Sequence, residues 1–447
     1  MYWNRRSILR VISSGASLLP LRAADMIIRS MRPEDFEMPL DGFSTWITPV
    51  GRFFVRTHVY TPNVDAASWQ LRVEGEVTSP LSLGLADLRA LPRAEFVSVL
   101  ECAGNGRGFY DPAVAGLQWR YGSVGNARWA GVRLIDVLKK AGYSASAREV
   151  LFNGADVPIG AMPDFVRAIP LAKAVHPDTL LAYEMNGQPL TPSHGFPIRV
   201  IVPGWAGDNW VKWLTNIEVR DKEFDGFFMK TAYRHPVRSI APGATVDPAD
   251  MTPVTLLRPK SVIVSPVERQ SLTESATTIR GAAWSGESPV KRVEVSVDSG
   301  RKWRPAKLGG EQAKYGWRLW EADWVPPARG SYVIMSRATD EAGDTQPLVQ
   351  DWNPSGYLWN VVPQVRVEVG NSASLPAEVA ASVPELPPTV KTTCIGCHAE
   401  DMIAGQRLSR VQWERELDKM TRWGAPVAPD NRETIIEFLL SHFGPRH

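Results

Sequence analysis

Only three cysteines occur in this chain of 447 residues, Cys102, Cys394 and Cys397, and they constrain the fold more than any other feature. An odd count leaves at least one thiol unpaired for a reactive or ligating role, which speaks against a disulfide framework. Two of them lie close together and are followed directly by His398, while Cys102 stands far upstream. The pattern points to two separate chemical sites on a chain whose cores must come from apolar burial. A hydrophobic share of 44% is enough for that, and the length suits two or three domains. A net charge of +2 leaves no electrostatic footprint for nucleic acid. The body holds no run of apolar residues long enough to span a membrane.

Residues 1–24 read as a twin-arginine export signal: Arg5-Arg6, the apolar Ile8 and Leu9, a weakly apolar stretch from Val11 to Leu21, and Ala23-Ala24 as a cleavage point. That implies a periplasmic protein, sent by a route that carries cargo already folded around a cofactor. Residues 25–242 mix short helical patterns (Leu85 to Leu91, Leu134 to Leu138) with buried strands such as Arg199 to Val202, and so read as an α+β domain. Residues 243–369 carry short strands between turn clusters (Ser261 to Ser265, Val293 to Val297, Tyr332 to Met335), the pattern of a β-sandwich of immunoglobulin-like type. Residues 370–389 hold Pro376, Pro384, Pro387 and Pro388 and read as a semi-extended linker. Residues 390–447 read as a small all-α domain: Trp413, Leu417 and Met420 share one face, Ile435, Ile436, Leu439 and Leu440 form a second stripe, and Asp430 and Glu433 sit at capping-box spacing.

Cys394-Ile-Gly-Cys397-His398 has the C-x-x-C-H spacing of c-type haem attachment, with two thiols adding to the porphyrin edge and the histidine binding iron. Met420 is the candidate sixth ligand. It is followed by Gly424-Ala425-Pro426, which resembles the loop after the ligating methionine of small bacterial cytochromes c. Met402 is the runner-up, too near His398 to reach the opposite iron face easily. Zinc would need further ligands, and the only other histidines of the tail are His442 and His447 near the chain end.

Cys102 lies in Ser98-Val-Leu-Glu-Cys102-Ala-Gly-Asn-Gly-Arg107. A soft thiolate suits a dithiolene-bound metal, and flanking glycines would let backbone approach a bulky cofactor. This segment is similar to the molybdenum-ligating loop of sulfite oxidases. The similarity extends over most of residues 40–365, through Ala127-Arg-Trp-Ala-Gly131, Leu181 to Leu190, His194-Gly-Phe-Pro-Ile-Arg199 and Val211-Lys212-Trp213-Leu214. The chain therefore resembles a sulfite oxidase family oxidoreductase of the bacterial sulfite dehydrogenase type, with a cytochrome c domain fused at its C-terminus.

The resemblance implies a molybdenum–molybdopterin (pyranopterin dithiolene) cofactor with Cys102 as a metal ligand. Phe53-Phe54-Val55-Arg56-Thr57-His58 matches the segment that places an arginine at the substrate and a histidine at the cofactor. Arg56 and Arg107 would form a cationic pocket for an oxyanion, Tyr233 would stand near the metal and Trp119 would line the pocket. Phe54, Val55, His58, Asp156, His194, Arg199 and Lys212 would hold the pterin and its phosphate, where guanidinium and ammonium groups suit an anion. The sandwich resembles the family's dimerisation domain, so a homodimer is expected. A further arginine in eukaryotic members aligns with Gln364, which leaves the physiological sulfur substrate open.

The activity implied is oxidation of sulfite to sulfate, with electrons leaving one at a time through haem c to an external cytochrome. The alternatives are an S-oxide or N-oxide reductase running the same centre in reverse, a dehydrogenase of another sulfur compound, and an electron carrier with a degenerate front domain. Paired arginines favour an anion over a neutral oxide, and Cys102, Arg107 and Tyr233 together argue against a degenerate domain.

Overall fold

The computed structural model describes residues 26–370 and 384–445. The export signal read at 1–24, most of the linker, and His447 lie outside the described residues.

The front part is built on two five-stranded sheets. In the first, Arg93–Glu101 pairs antiparallel with Val124–Arg133, which pairs with Leu180–Met185; Gln188–Pro189 and Arg199–Ile201 add to the last. Val124–Arg133 is buried at eight of its ten positions, so it does not alternate like a half-solvated strand. Gly131 is needed there because a Cβ would stand 2.0 Å from the Leu181 carbonyl of the neighbouring strand. The second sheet runs Leu81–Leu83, Leu71–Gly75, Leu214–Arg220, Glu149–Gly154, Arg167–Pro170, and the Leu71–Gly75/Leu214–Arg220 pair is parallel. Helix Leu134–Ala141 buries Leu134, Val137, Leu138 and Ala141, an i, i+3, i+4, i+7 stripe, in the core shared by both sheets. Gly142, at φ 67°, ends it in the left-handed region. The helix continues past the expected Leu138, while the expected helix from Leu85 stops at Arg89. The outcome is a mixed, sheet-rich domain with short helices.

The second part is a sandwich. A four-stranded sheet (Lys260–Ser265, Thr277–Trp284, Arg318–Trp324, Lys307–Leu308) belongs with a five-stranded one (Gln270–Leu272, Gln364–Val369, Gly330–Asp340, Val290–Ser296, Arg304–Pro305). Their common core includes Ile263, Ile279, Val293, Val295, Trp320 and Ile334. Some strands, such as Gln364–Val369, alternate in burial, while Lys260–Ser265 and Thr277–Trp284 are buried in runs, so strand-length apolar segments rather than strict alternation mark this core.

Residues 384–445 form helices Pro388–Cys394, Asp401–Ala404, Arg410–Arg422 and Arg432–Phe443. Trp413 and Leu417 of the third pack with Ile435, Ile436, Leu439 and Phe443 of the fourth. Ser409 caps the third helix, accepting from the Gln412 backbone N–H. The capping box expected from Asp430 and Glu433 is not formed. Asp430 lies in a 3-10 turn, Asn431 is the N-cap without a side-chain cap, and Glu433 pairs instead with Arg410 of the neighbouring helix.

Candidate active site

Cys102 sits where strand Arg93–Glu101 ends. Its N–H donates to the Ser123 carbonyl at 2.9 Å, and its carbonyl accepts from Asn105 N–H at 2.9 Å, closing a tight turn. The glycines around it do a different job from the one expected. A Cβ on Gly104 or Gly116 would stand 2.8 or 2.9 Å from the Arg107 guanidinium, so they make room for that side chain and not for a ligand. Arg107 is 8% exposed and well anchored: Nη1 donates to Leu117 O at 3.2 Å, and Nη2 and Nε donate to Ser355 O at 3.2 and 3.3 Å. Its Cζ lies 5.0 Å from the centre of the Tyr357 ring.

Arg56 leaves its short strand beside Asp35, which is wholly buried. Nη1 donates to Asp35 Oδ1 at 3.3 Å and to the Thr57 carbonyl, and the Thr57 N–H donates to the same carboxylate at 3.0 Å. Burial pushes the Asp35 carboxyl up to about 6 despite the pull of Arg56. His58 stacks on Phe165 with centroids 4.1 Å apart, and its Nε2 lies 2.7 Å from the Tyr233 hydroxyl. Burial, then Arg56, Lys212 and Arg167, hold its imidazole well below its ordinary range, so it is neutral at pH 7. Tyr233 takes φ 54°, a left-handed conformation that is costly for a bulky residue, and its ring stacks on Tyr357 at 5.3 Å.

A cleft lined by Arg56, His58, Cys102 and Tyr233 continues past Phe54 to Asp156, His194, Arg199 and Lys212. Its far end is short of negative charge. Burial pushes Lys212 down to about 7 and Arg199 down to about 9, while Asp156 is pushed up to about 6. Buried cations whose charged forms are disfavoured mark a place where an anion would be stabilising. His194 Nδ1 lies 2.7 Å from Thr191 Oγ1, and its Nε2 is buried without a partner, as is Arg199 Nε. Lys212 Nζ donates to Ser193 O at 2.9 Å, which points the ammonium into the cleft. These unspent donors and the thiol fit a bulky, phosphate-bearing metal cofactor. Val55 is buried in the core and lines no part of the cleft.

From the same four residues a larger cavity, about 410 Å³, runs outward to the C-terminal helices. Trp119 and Arg107 line its inner end, and the Trp119 indole N–H is buried without a partner. Cys394, Cys397, His398 and Met420 line its outer end, with Met402 also on the wall. His398 Nδ1 lies 3.0 Å from the Ala399 carbonyl, which leaves Nε2 as the atom able to bind a metal. An apolar-walled space of this size, with two thiols, an imidazole and a thioether on its rim, fits a haem. The helices are held to the front domain by Gln406, whose Nε2 donates to Gly116 O at 2.9 Å while its Oε1 accepts Gly116 N–H at 3.3 Å.

Gln364 is placed elsewhere. It opens a sandwich strand opposite Met335, is exposed, and lines neither cavity. The residue of that segment that enters the pocket is Tyr357. Sequence reasoning also missed Asp35 and the Arg167–Asp208 pair, which is 2.7 Å long and wholly buried beside the Tyr233 ring. Nothing local in the sequence marks these charges as internal.

Comparison with known proteins agrees with this geometry. Residues 58–228 match the model of the oxidoreductase molybdopterin binding domain, and residues 252–370 match that of the Mo-co oxidoreductase dimerisation domain. Neither match reaches the C-terminal helices. The mitochondrial sulfite oxidase of Homo sapiens is 38% identical over 367 residues, which is 78% of this chain and 67% of that protein. The sulfite oxidase of Arabidopsis thaliana is 32% identical over 382 residues, 79% of this chain and 96% of that one. Among solved structures, the sulfane dehydrogenase SoxCD from Paracoccus pantotrophus aligns with a TM-score of 0.67 at 26% identity, over 80% of this chain and 92% of that chain.

Proposed function

Because the chain belongs to the sulfite oxidase family of molybdopterin oxidoreductases, we propose that it oxidises sulfite to sulfate and passes the electrons, one at a time, to a c-type haem on its own C-terminal helices. The observation that carries this reading is the cavity whose inner end holds Arg56, Cys102 and Tyr233 and whose outer end holds Cys394, Cys397, His398 and Met420. When bound, the molybdenum–pyranopterin group supplies the two-electron oxidation and the haem the one-electron steps.

The chain's own residues then have distinct tasks. Cys102 offers a soft thiolate to the metal. His194 Nε2, Arg199, Lys212 and Asp156 hold the pterin and neutralise its phosphate. Arg56 has one guanidinium nitrogen tied to Asp35 and Thr57 and presents the rest of its fork to the anion. Tyr233 keeps its hydroxyl at the pocket through His58, and Trp119 closes the wall. Cys394 and Cys397 would attach the haem, and His398 Nε2 and Met420 would be its protein donors to iron. A thioether donor beside an imidazole would raise the haem potential, as an electron acceptor needs.

Haem attachment and the paired Arg5-Arg6 favour the periplasm, a soluble cytochrome c as the final acceptor, and twin-arginine export. The sandwich, matched as a dimerisation domain, favours a homodimer. The test is metal and haem analysis of the full-length protein, followed by anaerobic sulfite addition. Haem reduction in step with sulfate formation is expected. A fully loaded protein whose haem ignores sulfite, but is oxidised after prereduction by an S-oxide, would sink the oxidase reading.

One observation favours a second reading, dehydrogenation of another sulfur compound. Arg107 spends three donors on backbone carbonyls and presents its face to Tyr357, so the pocket offers an anion less than two free guanidiniums. The solved relative is named a sulfane dehydrogenase. Comparing kcat/KM for sulfite with that for a sulfane-sulfur compound decides between them.

A further inference from the structure

Behind Cys102 lies a buried polar cluster that none of the tasks above uses. Glu101, the last residue of its strand, is 3% exposed. Its Oε1 accepts from Asn105 Nδ2 at 2.8 Å and from Lys260 Nζ, and its Oε2 accepts from the indole Nε1 of Trp284 at 2.7 Å. Lys260 and Trp284 belong to the sandwich, where they stand opposite each other on adjacent antiparallel strands. Lys260 Nζ also reaches the Asn105 carbonyl at 3.4 Å. On the other side of the cysteine, the Leu358 N–H, carried by the segment that closes the sandwich, donates to Ala103 O at 3.0 Å. The second domain thus grips the residues immediately before and after Cys102.

The segment from Cys102 to Gly106 contains two glycines and has little stiffness of its own. Its conformation has to be imposed from outside. A buried lysine–carboxylate pair is a poor way to gain stability, because desolvating both charges offsets most of their attraction. A fully paired buried network does specify one geometry. Groups that hold a metal ligand in place tune affinity and reactivity as the ligand itself does.

We propose that Lys260 and Trp284 are positioning residues for Cys102: acting through Glu101, they set where the thiolate stands, which makes the sandwich a working part of the molybdenum site and not only a dimer contact. This rests on Cys102 being a metal ligand. Trp284→Phe removes one donor and keeps an aromatic ring of smaller size, Lys260→Met removes the ammonium, and Lys260→Arg restores a donor.

The first measurement is the alkylation rate of Cys102 in full-length protein made without molybdate, read by peptide mass alongside the melting transition. Both deletions of a donor raise that rate by about fivefold or more at temperatures well below each variant's own melting transition, and Lys260→Arg returns toward wild type. In the molybdenum-loaded enzyme the same variants lower kcat by about tenfold while KM for sulfite stays within about twofold, because Arg56 is outside the cluster. Wild-type alkylation rates in Trp284→Phe overturn the proposal, including when Lys260→Met does not fold. Absence of molybdenum from the wild-type protein overturns the ligand reading instead, and metal analysis separates the two failures.

Discussion

The imidazole of His58 and the phenol of Tyr233 meet at 2.7 Å inside the pocket, although 175 positions separate them in the chain. Because His58 is held neutral, the hydrogen bond fixes the phenol without placing a positive charge beside it. Tyr233 also carries a left-handed backbone, a cost kept up by the Arg167 guanidinium 5.5 Å from its ring and by the stack on Tyr357. Removing only the hydroxyl, Tyr233→Phe, leaves the ring packing intact. It is expected to lower kcat/KM for sulfite by about ten- to a hundredfold, the worth of one hydrogen bond to a charged group. Steady-state acceptor reduction checks it. A change within about twofold would mean that the hydroxyl does not touch the substrate.

The two pocket arginines should respond differently to the same substitution. Arg56 makes its fixed contacts through one nitrogen, while Arg107 is fastened to Leu117 and Ser355. Arg56→Met is expected to raise KM for sulfite by about tenfold or more, since it removes a ligand for the anion, and to lower the melting transition as well, because the buried Asp35 carboxylate loses its paired cation. Arg107→Met leaves the buried Leu117 carbonyl and the half-buried Ser355 carbonyl without this donor and is expected to cost about 1–3 kcal/mol of stability besides its effect on KM. Parallel thermal melts and sulfite titrations separate the two. An unchanged KM in Arg56→Met, or an unchanged melting transition in Arg107→Met, would contradict these assignments.

The contrast between these arginines shows what the sequence could reveal. Contiguous segments were legible: Arg56 to His58, Cys102 to Arg107, and His194 to Arg199 each bring several residues to one place because a single strand end or turn carries them. Residues that reach the site by tertiary closure were not. Asp35, Asp208 and Arg167 look like solvated charges in the sequence, and their burial depends on strands that are distant along the chain. Tyr357 lies in an irregular Pro- and Gly-bearing stretch with no period to show which way it faces, and the choice of Gln364 from the same stretch shows the cost of that. The sandwich was readable from short apolar or alternating strands between turn clusters, whereas the cap at Asp430 depended on where one turn tightened.

The cofactor-free protein should carry a pH signature from Lys212. Burial, with Arg199 and Arg56 adding repulsion, brings its ammonium down to about 7. In the unfolded chain a lysine titrates near 10.4, so between about 7 and 10.4 the unfolded state holds more protons. Stability of the cofactor-free fold therefore rises with pH across that window, by up to about 1.4 kcal/mol per pH unit from this group, and the group adds no slope below pH 7. Arg199, lowered to about 9 by burial, extends the rise at its upper end. Lys212→Met removes the Lys212 share. Melting curves of molybdenum-free wild type and variant between pH 7 and about 9.5 check it, and parallel curves would refute it.

The haem reading makes a prediction about potential. Met420 and His398 line one cavity with Cys394 and Cys397, and on the haem reading covalent attachment would go through the two thiols alone. Met420→His should therefore retain haem while lowering its reduction potential by about 0.1 V or more, since exchanging thioether for imidazole removes the stabilisation of the reduced iron. Met402→Leu should leave the potential where it is. A redox titration of each variant decides between the two methionines, and a drop in Met402→Leu with none in Met420→His would reverse the assignment.

Gln406 offers a way to test whether the C-terminal helices work in the place where they lie. Its amide exchanges two hydrogen bonds with Gly116 and is 7% exposed, and Gln412 adds a bond from Nε2 to Ala113 O at 2.8 Å. Both tie the haem-side helices to the loop that also makes room for Arg107. The Ala399 N–H to Arg32 O bond at 2.7 Å and the Ala161 N–H to Trp423 O bond at 3.2 Å hold the same helices, so at about 1 kcal/mol net per bond losing the Gln406 pair lowers the docking equilibrium constant by about tenfold or more without abolishing docking. Gln406→Ala should then slow haem reduction after sulfite mixing by about fivefold or more and make it sensitive to solvent viscosity, because undocked helices must first return. Turnover with a small acceptor that takes electrons from the molybdenum centre directly should stay within about twofold, since Gln406 touches neither the metal ligand nor Arg56. Stopped-flow haem absorbance with and without glycerol measures both quantities. Wild-type rates in Gln406→Ala, with no viscosity effect in either protein, would show that this clamp does not govern electron transfer.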